Sequence, residues 1–261
     1  MLLTAPFWLP FWRVLTRLGE AQILLPAAAL SILVLVHQRH GRPLAGRWLA
    51  TLAAAVALTT ASKVAFIGWG IGSSALDFTG VSGHAMFAAA VYPLLLATLA
   101  PATPRVAPWL AMAAGAALAL LIGVSRVTVH AHSWSEVVAG LTLGGAVGAI
   151  SLMRWHLTES RFKVWVPTAT AAWLLVMPVQ APVSNSHALV TRMALTLSGR
   201  KFPYTREELR RNAPALPNKP SASSIAASRM LARGTPRLAS DRSGHVKAQG
   251  WIHGVLRRSR R

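Results

Sequence analysis

The stretch SRVTVHAHSWSE, residues 125–136, sets His132 four positions before Glu136. On a helix that spacing puts two side chains on one face, a turn apart. A carboxylate so placed accepts the Nδ1–H of the imidazole. It fixes the tautomer and leaves Nε2 with a free lone pair that can attack an electrophile. An ordinary helix-surface pair has the same spacing, so the neighbours decide. Arg126, six residues before His132, offers a planar fork of donors matched to phosphate oxygens, and Ser125 adds a hydroxyl. A second stretch, GVSGHAM at 80–86, brings glycines that let backbone approach a ligand. The free N–H groups of a helix start there favour an anion. Ser82 and Gly83 can hold a phosphate oxygen, and His84 can protonate a leaving oxygen. Lys63, in ASKVAFIGWG at 61–70, is a cation in an apolar run. It either snorkels outward or gives the same anion a second positive charge. The set is a kit for phosphoryl transfer through a phosphohistidine. The chain has 0 cysteines, no HExxH and no Asp-rich loop, so no metal and no cofactor are expected.

These residues must be positioned by apolar elements. The 261-residue chain is 53% hydrophobic and only 13% charged, with a mean hydropathy of +0.44. A soluble domain carries about a quarter charged residues. Six apolar runs approach the ~20 residues that cross a bilayer. They cover roughly 21–37, 46–69, 83–100, 106–124, 134–153 and 164–180. In lipid a lone segment satisfies its backbone only as a helix. The expected fold is therefore all-α: a polytopic membrane bundle of about six transmembrane helices. Trp48, Trp69, Trp109, Trp134, Trp155 and Trp165 fall near the span ends, where an aromatic belt would sit. AGLTLGGAVGA at 139–149 offers small residues for close helix packing.

Three regions follow. Residues 1–20, with Trp8, Trp12, Arg13 and Arg17, read as an interfacial segment. Residues 21–182 hold the spans and both chemical stretches. Residues 183–261 read as a basic, largely disordered tail that carries most of the +20 net charge. Within it, 186–213 has the composition of one amphipathic helix lying against the membrane. Anionic lipid headgroups are the expected partner of the tail, rather than nucleic acid. Connections 38–47, 101–105 and 154–163 carry Arg39, Arg42, Arg47, Arg105, Arg154, Arg161 and Lys163, whereas 70–82 has no Lys or Arg and 125–133 only Arg126. The positive-inside rule puts the first group in the cytoplasm and both chemical stretches on the outer face. With an even number of spans, both termini share that outer face.

In order and spacing these stretches resemble the type 2 phosphatidic acid phosphatases, a superfamily of integral-membrane lipid phosphatases. Its motifs are Lys-x6-Arg-Pro, Pro-Ser-Gly-His and Ser-Arg-x5-His-x3-Asp. Ser125-Arg126, five residues, His132, three residues and Glu136 match the third; Val81-Ser82-Gly83-His84 matches the second; Lys63 stands where the first begins. The resemblance covers roughly residues 21–180. It implies His132 as nucleophile, Glu136 as the residue orienting it and His84 as general acid. Lys63, Ser82, Gly83, Ser125 and Arg126 would bind the phosphate, and no metal would be needed. It also implies a bacterial-type inner-membrane protein with its site facing the periplasmic side. Three departures stand out: Glu136 for Asp, Val81 for Pro, and Gly70-Ile71 for the Arg-Pro of the first motif. His130 and Asp77 read as a bystander and a structural residue. The expected function is hydrolysis of a lipid phosphomonoester or diphosphate, phosphatidate-like or undecaprenyl diphosphate-like. The alternative is a catalytically silent membrane protein that binds lipid phosphates or a partner.

Overall fold

A computed structural model describes residues 8–37, 41–100, 107–153, 165–182 and 184–212. Helices dominate, and among the described residues the sole strand-like pairing is an isolated bridge between Ser73 and Phe78. The helices run α1 (Leu9–Arg17), α2 (Ala21–His37), α3 (Arg42–Trp69), α4 (Gly83–Leu99), α5 (Ala107–Thr128), α6 (Trp134–Leu152), α7 (Trp165–Gln180), α8 (Ser186–Ser198) and α9 (Arg206–Arg211). Each expected apolar run is a helix, α2 to α7 in order. By length and apolarity α3, α5 and α6 can each cross a membrane, and α1 with α2, bent by 42°, forms a fourth candidate; α4 is a shorter apolar helix. The chain is thus an all-α membrane bundle.

Its centre is α4. Met86, Ala90, Val91, Leu94 and Leu95 are fully buried, and α2, α3, α5 and α6 surround it. A helix apolar on all sides is stable only when other helices cover it. Two glycines set the close crossing of α4 with α6. A Cβ on Gly140 would stand 2.6 Å from Ser82 O, and one on Gly144 only 2.3 Å from Met86 O. Small residues at such a crossing let backbones meet. The bundle's outer surface is apolar, with Leu58, Leu120 and Leu175 exposed as lipid-facing residues would be.

Trp69, Trp109, Trp134 and Trp165 are exposed near helix ends, as a belt requires. Trp48 is not in the belt. It is fully buried, because its indole N–H finds a carbonyl partner in the core: Nε1 donates to Ala90 O at 3.1 Å. Trp155 lies outside the described residues, as do 1–7 of the N-terminal segment, 213–261 of the tail, and the charged positions Arg39, Arg105, Arg154, Arg161 and Lys163. Residues 184–212, grouped by composition with the tail, form α8 and α9. The α8 helix packs along α3, and Ala194 joins Val64, Phe66 and Ile67 in a small second core that Val190, Tyr204 and Leu209 flank.

Candidate active site

The turn after α5 places His132. His130 has φ 57°, and the N–H groups of His130 and Ala131 return to Val127 O and Arg126 O at 2.9 and 3.0 Å. This pattern closes the helix with a left-handed residue, so His130 shapes the turn, and it is itself exposed. The His132 N–H also returns to Arg126 O, at 3.2 Å. Ser133 then caps α6 in a reciprocal box: its Oγ accepts from Glu136 N–H, and the Glu136 carboxylate accepts from Ser133 N–H. The box aims Glu136 back at the preceding residue. His132 Nδ1 meets Glu136 Oε2 at 2.6 Å, and Nε2 has no partner among the described residues. The tautomer follows from that bond, with the proton on Nδ1. Burial chiefly pushes the His132 imidazole below its ordinary range, against the raising effect of Glu136.

Glu136 itself is fully buried. Its Oε1 accepts from Thr79 N–H at 2.7 Å and from Thr79 Oγ1–H at 2.5 Å. Ser82 N–H donates to Glu136 O at 3.1 Å, which ties the start of α4 to the start of α6. Both chemical stretches thereby meet at one end of the bundle.

They share a cavity of about 540 Å³ whose wall includes Lys63, Gly83, His84, Arg126 and His132. That volume suits a small-molecule headgroup. Lys63 lies six residues before the end of α3, about 9 Å along the helix, and its Nζ stands 3.7 Å from where a Gly83 Cβ would be. Arg126 Nη1 donates to Thr16 Oγ1 at 2.9 Å, while Arg126 Nε is buried without a partner among the described residues. Ser82 Oγ and Thr59 Oγ1 are buried and unpartnered in the same way. Buried donors of this kind are costly unless something accepts from them. Ser125 is the exception in the set. Its hydroxyl donates to Ile122 O at 2.6 Å, and neither it nor the fully buried Ser82 lines the cavity.

A PAP2 superfamily model matches residues 44–161. An uncharacterised 22.5 kDa protein in the cps region of Klebsiella pneumoniae is 35% identical over 206 residues, 77% of this chain and 99% of that protein. The chain belongs to the PAP2 superfamily. No solved structure matches it. PAP2 proteins are generally phosphatases, so a phosphatase-type lipid phosphate hydrolase in a membrane is the coarse functional frame.

One PAP2 position is changed in kind. Gly70, seven residues after Lys63, stands where the motif has arginine. It caps α3 at φ 71°, and a Cβ there would lie 3.0–3.1 Å from the Tyr204 ring. The guanidinium nearest the carboxylate instead comes from Arg206, at the start of α9. Its Nη2 donates to Glu136 Oε1 and Oε2 at 2.8 and 2.9 Å and to Thr79 Oγ1 at 3.1 Å. Its Nη1 donates to Asp77 O and Oδ2, both at 2.7 Å, and Arg210 adds bonds to Asp77 at 2.9 and 3.1 Å. The Arg210 bond chiefly holds the Asp77 carboxyl below its usual range, with Arg206 adding. Arg206, Thr79 and this role of Asp77 are not visible in the motif pattern. The one local cue is Thr205-Arg-Glu-Glu208, a capping box that marks the start of α9.

Proposed function

We propose that the chain is a multi-pass membrane phosphatase that hydrolyses a phosphomonoester or diphosphate of a lipid through a phosphohistidine on His132. The supporting observation is the 2.6 Å His132–Glu136 bond, which leaves Nε2 free on a cavity wall shared with Lys63, His84 and Arg126. In the first step Nε2 attacks phosphorus. The bond from phosphorus to the lipid or phosphate oxygen breaks, and His84 gives that oxygen its proton. In the second, water attacks the phosphohistidine, the phosphorus–nitrogen bond breaks, and His84 takes the water's proton as inorganic phosphate leaves. Lys63, Arg126, Ser82 and the backbone at Gly83 balance the charge that develops on the phosphoryl oxygens. Arg126 lines the cavity, and its Nε, unpartnered among the described residues, is a donor this role needs. In this reading all the charges are side chains and no metal takes part.

The lipid tails would lie among the helices, with the headgroup in the cavity. The distribution of cationic loops in the sequence supports a cavity on the outer side of a bacterial-type inner membrane. The basic tail beyond the described residues would attract anionic headgroups.

The test is phosphate release by the detergent-purified protein from a panel of lipid phosphates and diphosphates. Release that resists EDTA and vanishes in His132→Ala is expected, and the panel ranks glycerolipid against polyprenyl substrates. If no lipid yields phosphate while orthovanadate still binds the folded protein, the chain is a silent binder and the enzyme reading fails.

A further inference from the structure

We propose that Arg206, carried by the C-terminal segment α8–α9, is a positioning residue of this site. It holds Glu136 fixed and ionised behind His132. The inference rests on the phosphohistidine reading above. Among the described residues the ion-pair partners of Glu136 are His132 and Arg206. A nucleophilic His132 must be neutral at Nε2, so it cannot also balance the buried carboxylate with a full positive charge. Arg206 does so from the other side, with one nitrogen against both oxygens. Remove that charge, and Glu136 draws a proton onto the imidazole; the lone pair is lost at neutral pH.

The segment is built to deliver this group. Tyr204 N–H donates to Ile67 O at 2.9 Å, and Arg200 stacks 3.9 Å over the Tyr204 ring. Asp77, with φ 49°, receives Arg206 and Arg210 together. The Tyr204 ring fills the space over Gly70, so the absence of a side chain at that position and the seating of the segment are one arrangement. Arg206 also lines the cavity, in reach of whatever binds there. The charged and titratable groups around the His132–Glu136 pair and on its cavity wall are Lys63 from α3, Asp77 from the loop before α4, His84 from α4, Arg126 from α5, His187 from α8, Tyr204 from the loop before α9 and Arg206 from α9. Only Arg206 among them pairs directly with Glu136 from outside the motifs.

The test uses the full chain in detergent, as wild type, Arg206→Ala and Arg206→Lys. Histidine-labelled protein gives the His132 titration midpoint by NMR, with the signal assigned from its absence in His132→Ala. Arg206→Ala should raise the midpoint by about one unit or more, and Arg206→Lys should restore most of the shift. Phosphate release in Arg206→Ala should fall about 10- to 100-fold, in kcat more than in KM, with its acid limb moved to higher pH. Arg206→Gln, which keeps donors but loses the charge, takes the place of alanine if that variant unfolds. A midpoint unchanged in every variant overturns the proposal. A shifted midpoint in a protein that releases no phosphate overturns the phosphatase reading and leaves the electrostatic role of Arg206 standing.

Discussion

Oε1 of Glu136 is shared by Thr79 and Arg206, and Oε2 by His132, Ser133 and Arg206. An amide has one acceptor oxygen, so Glu136→Gln must turn an NH2 group against donors. We expect it to cost about 1–3 kcal/mol of stability, read as a lower unfolding midpoint. We also expect kcat/KM to fall roughly 10³-fold or more, because the imidazole loses its oriented acceptor. The pH dependence has a definite sign. Burial lowers the His132 pKa from 6.5, so the neutral nucleophile persists below that pH. Wild-type kcat/KM should hold as pH falls to 6.5 and decline only below it; a decline that begins above 6.5 contradicts the assignment. The His132–Glu136 pair was legible in sequence because a separation of four residues is a local relation, although His132 precedes the Ser133 cap and meets Glu136 across it rather than along one helix face. The Arg206 contact was not, because it joins residues 70 positions apart through a segment whose composition resembles a solvated tail.

At the scale of elements, the crossing of α4 and α6 separates glycines that pack from glycines that do not. Gly144 faces Met86 O at a distance no Cβ tolerates, whereas Gly145 has nothing within 4 Å. Gly144→Ala should destabilise the bundle by about 1–3 kcal/mol through forced separation of the helices. Gly145→Ala should leave it unchanged or firmer by up to about 1 kcal/mol, since alanine is the better helix former. Thermal unfolding of both variants in detergent decides, and equal effects would refute this packing. The small-residue run at 139–149 announced such a crossing, but not which glycines face it, since helices in lipid hide neither face by polarity. The same blindness explains Trp48. Its place near a span end suggests an interfacial residue, and only the position of Ala90 O reveals a buried one.

For the whole molecule, the short-loop charges and the basic C-terminal region pull in opposite directions over which side holds the carboxyl end. The geometry puts α9 and His132 at the same end of the bundle. With 0 native cysteines, single substitutions can report membrane sidedness. Leu76 is 63% exposed beside the site, and His37 ends α2, 16 residues and about 24 Å from cavity-lining Ala21. On intact cells a membrane-impermeant maleimide should label Leu76→Cys but reach His37→Cys only after permeabilisation. The reverse pattern would invert the proposed orientation.

Arg206 stands 129 residues beyond Asp77. A polypeptide is synthesised from its amino end, and its parts settle in the order they emerge. All the motif residues are therefore synthesised before α9. A pocket assembled before α9 is made would have an open wall and an unneutralised carboxylate, and α9 closes it while residues 212–261 are still to follow.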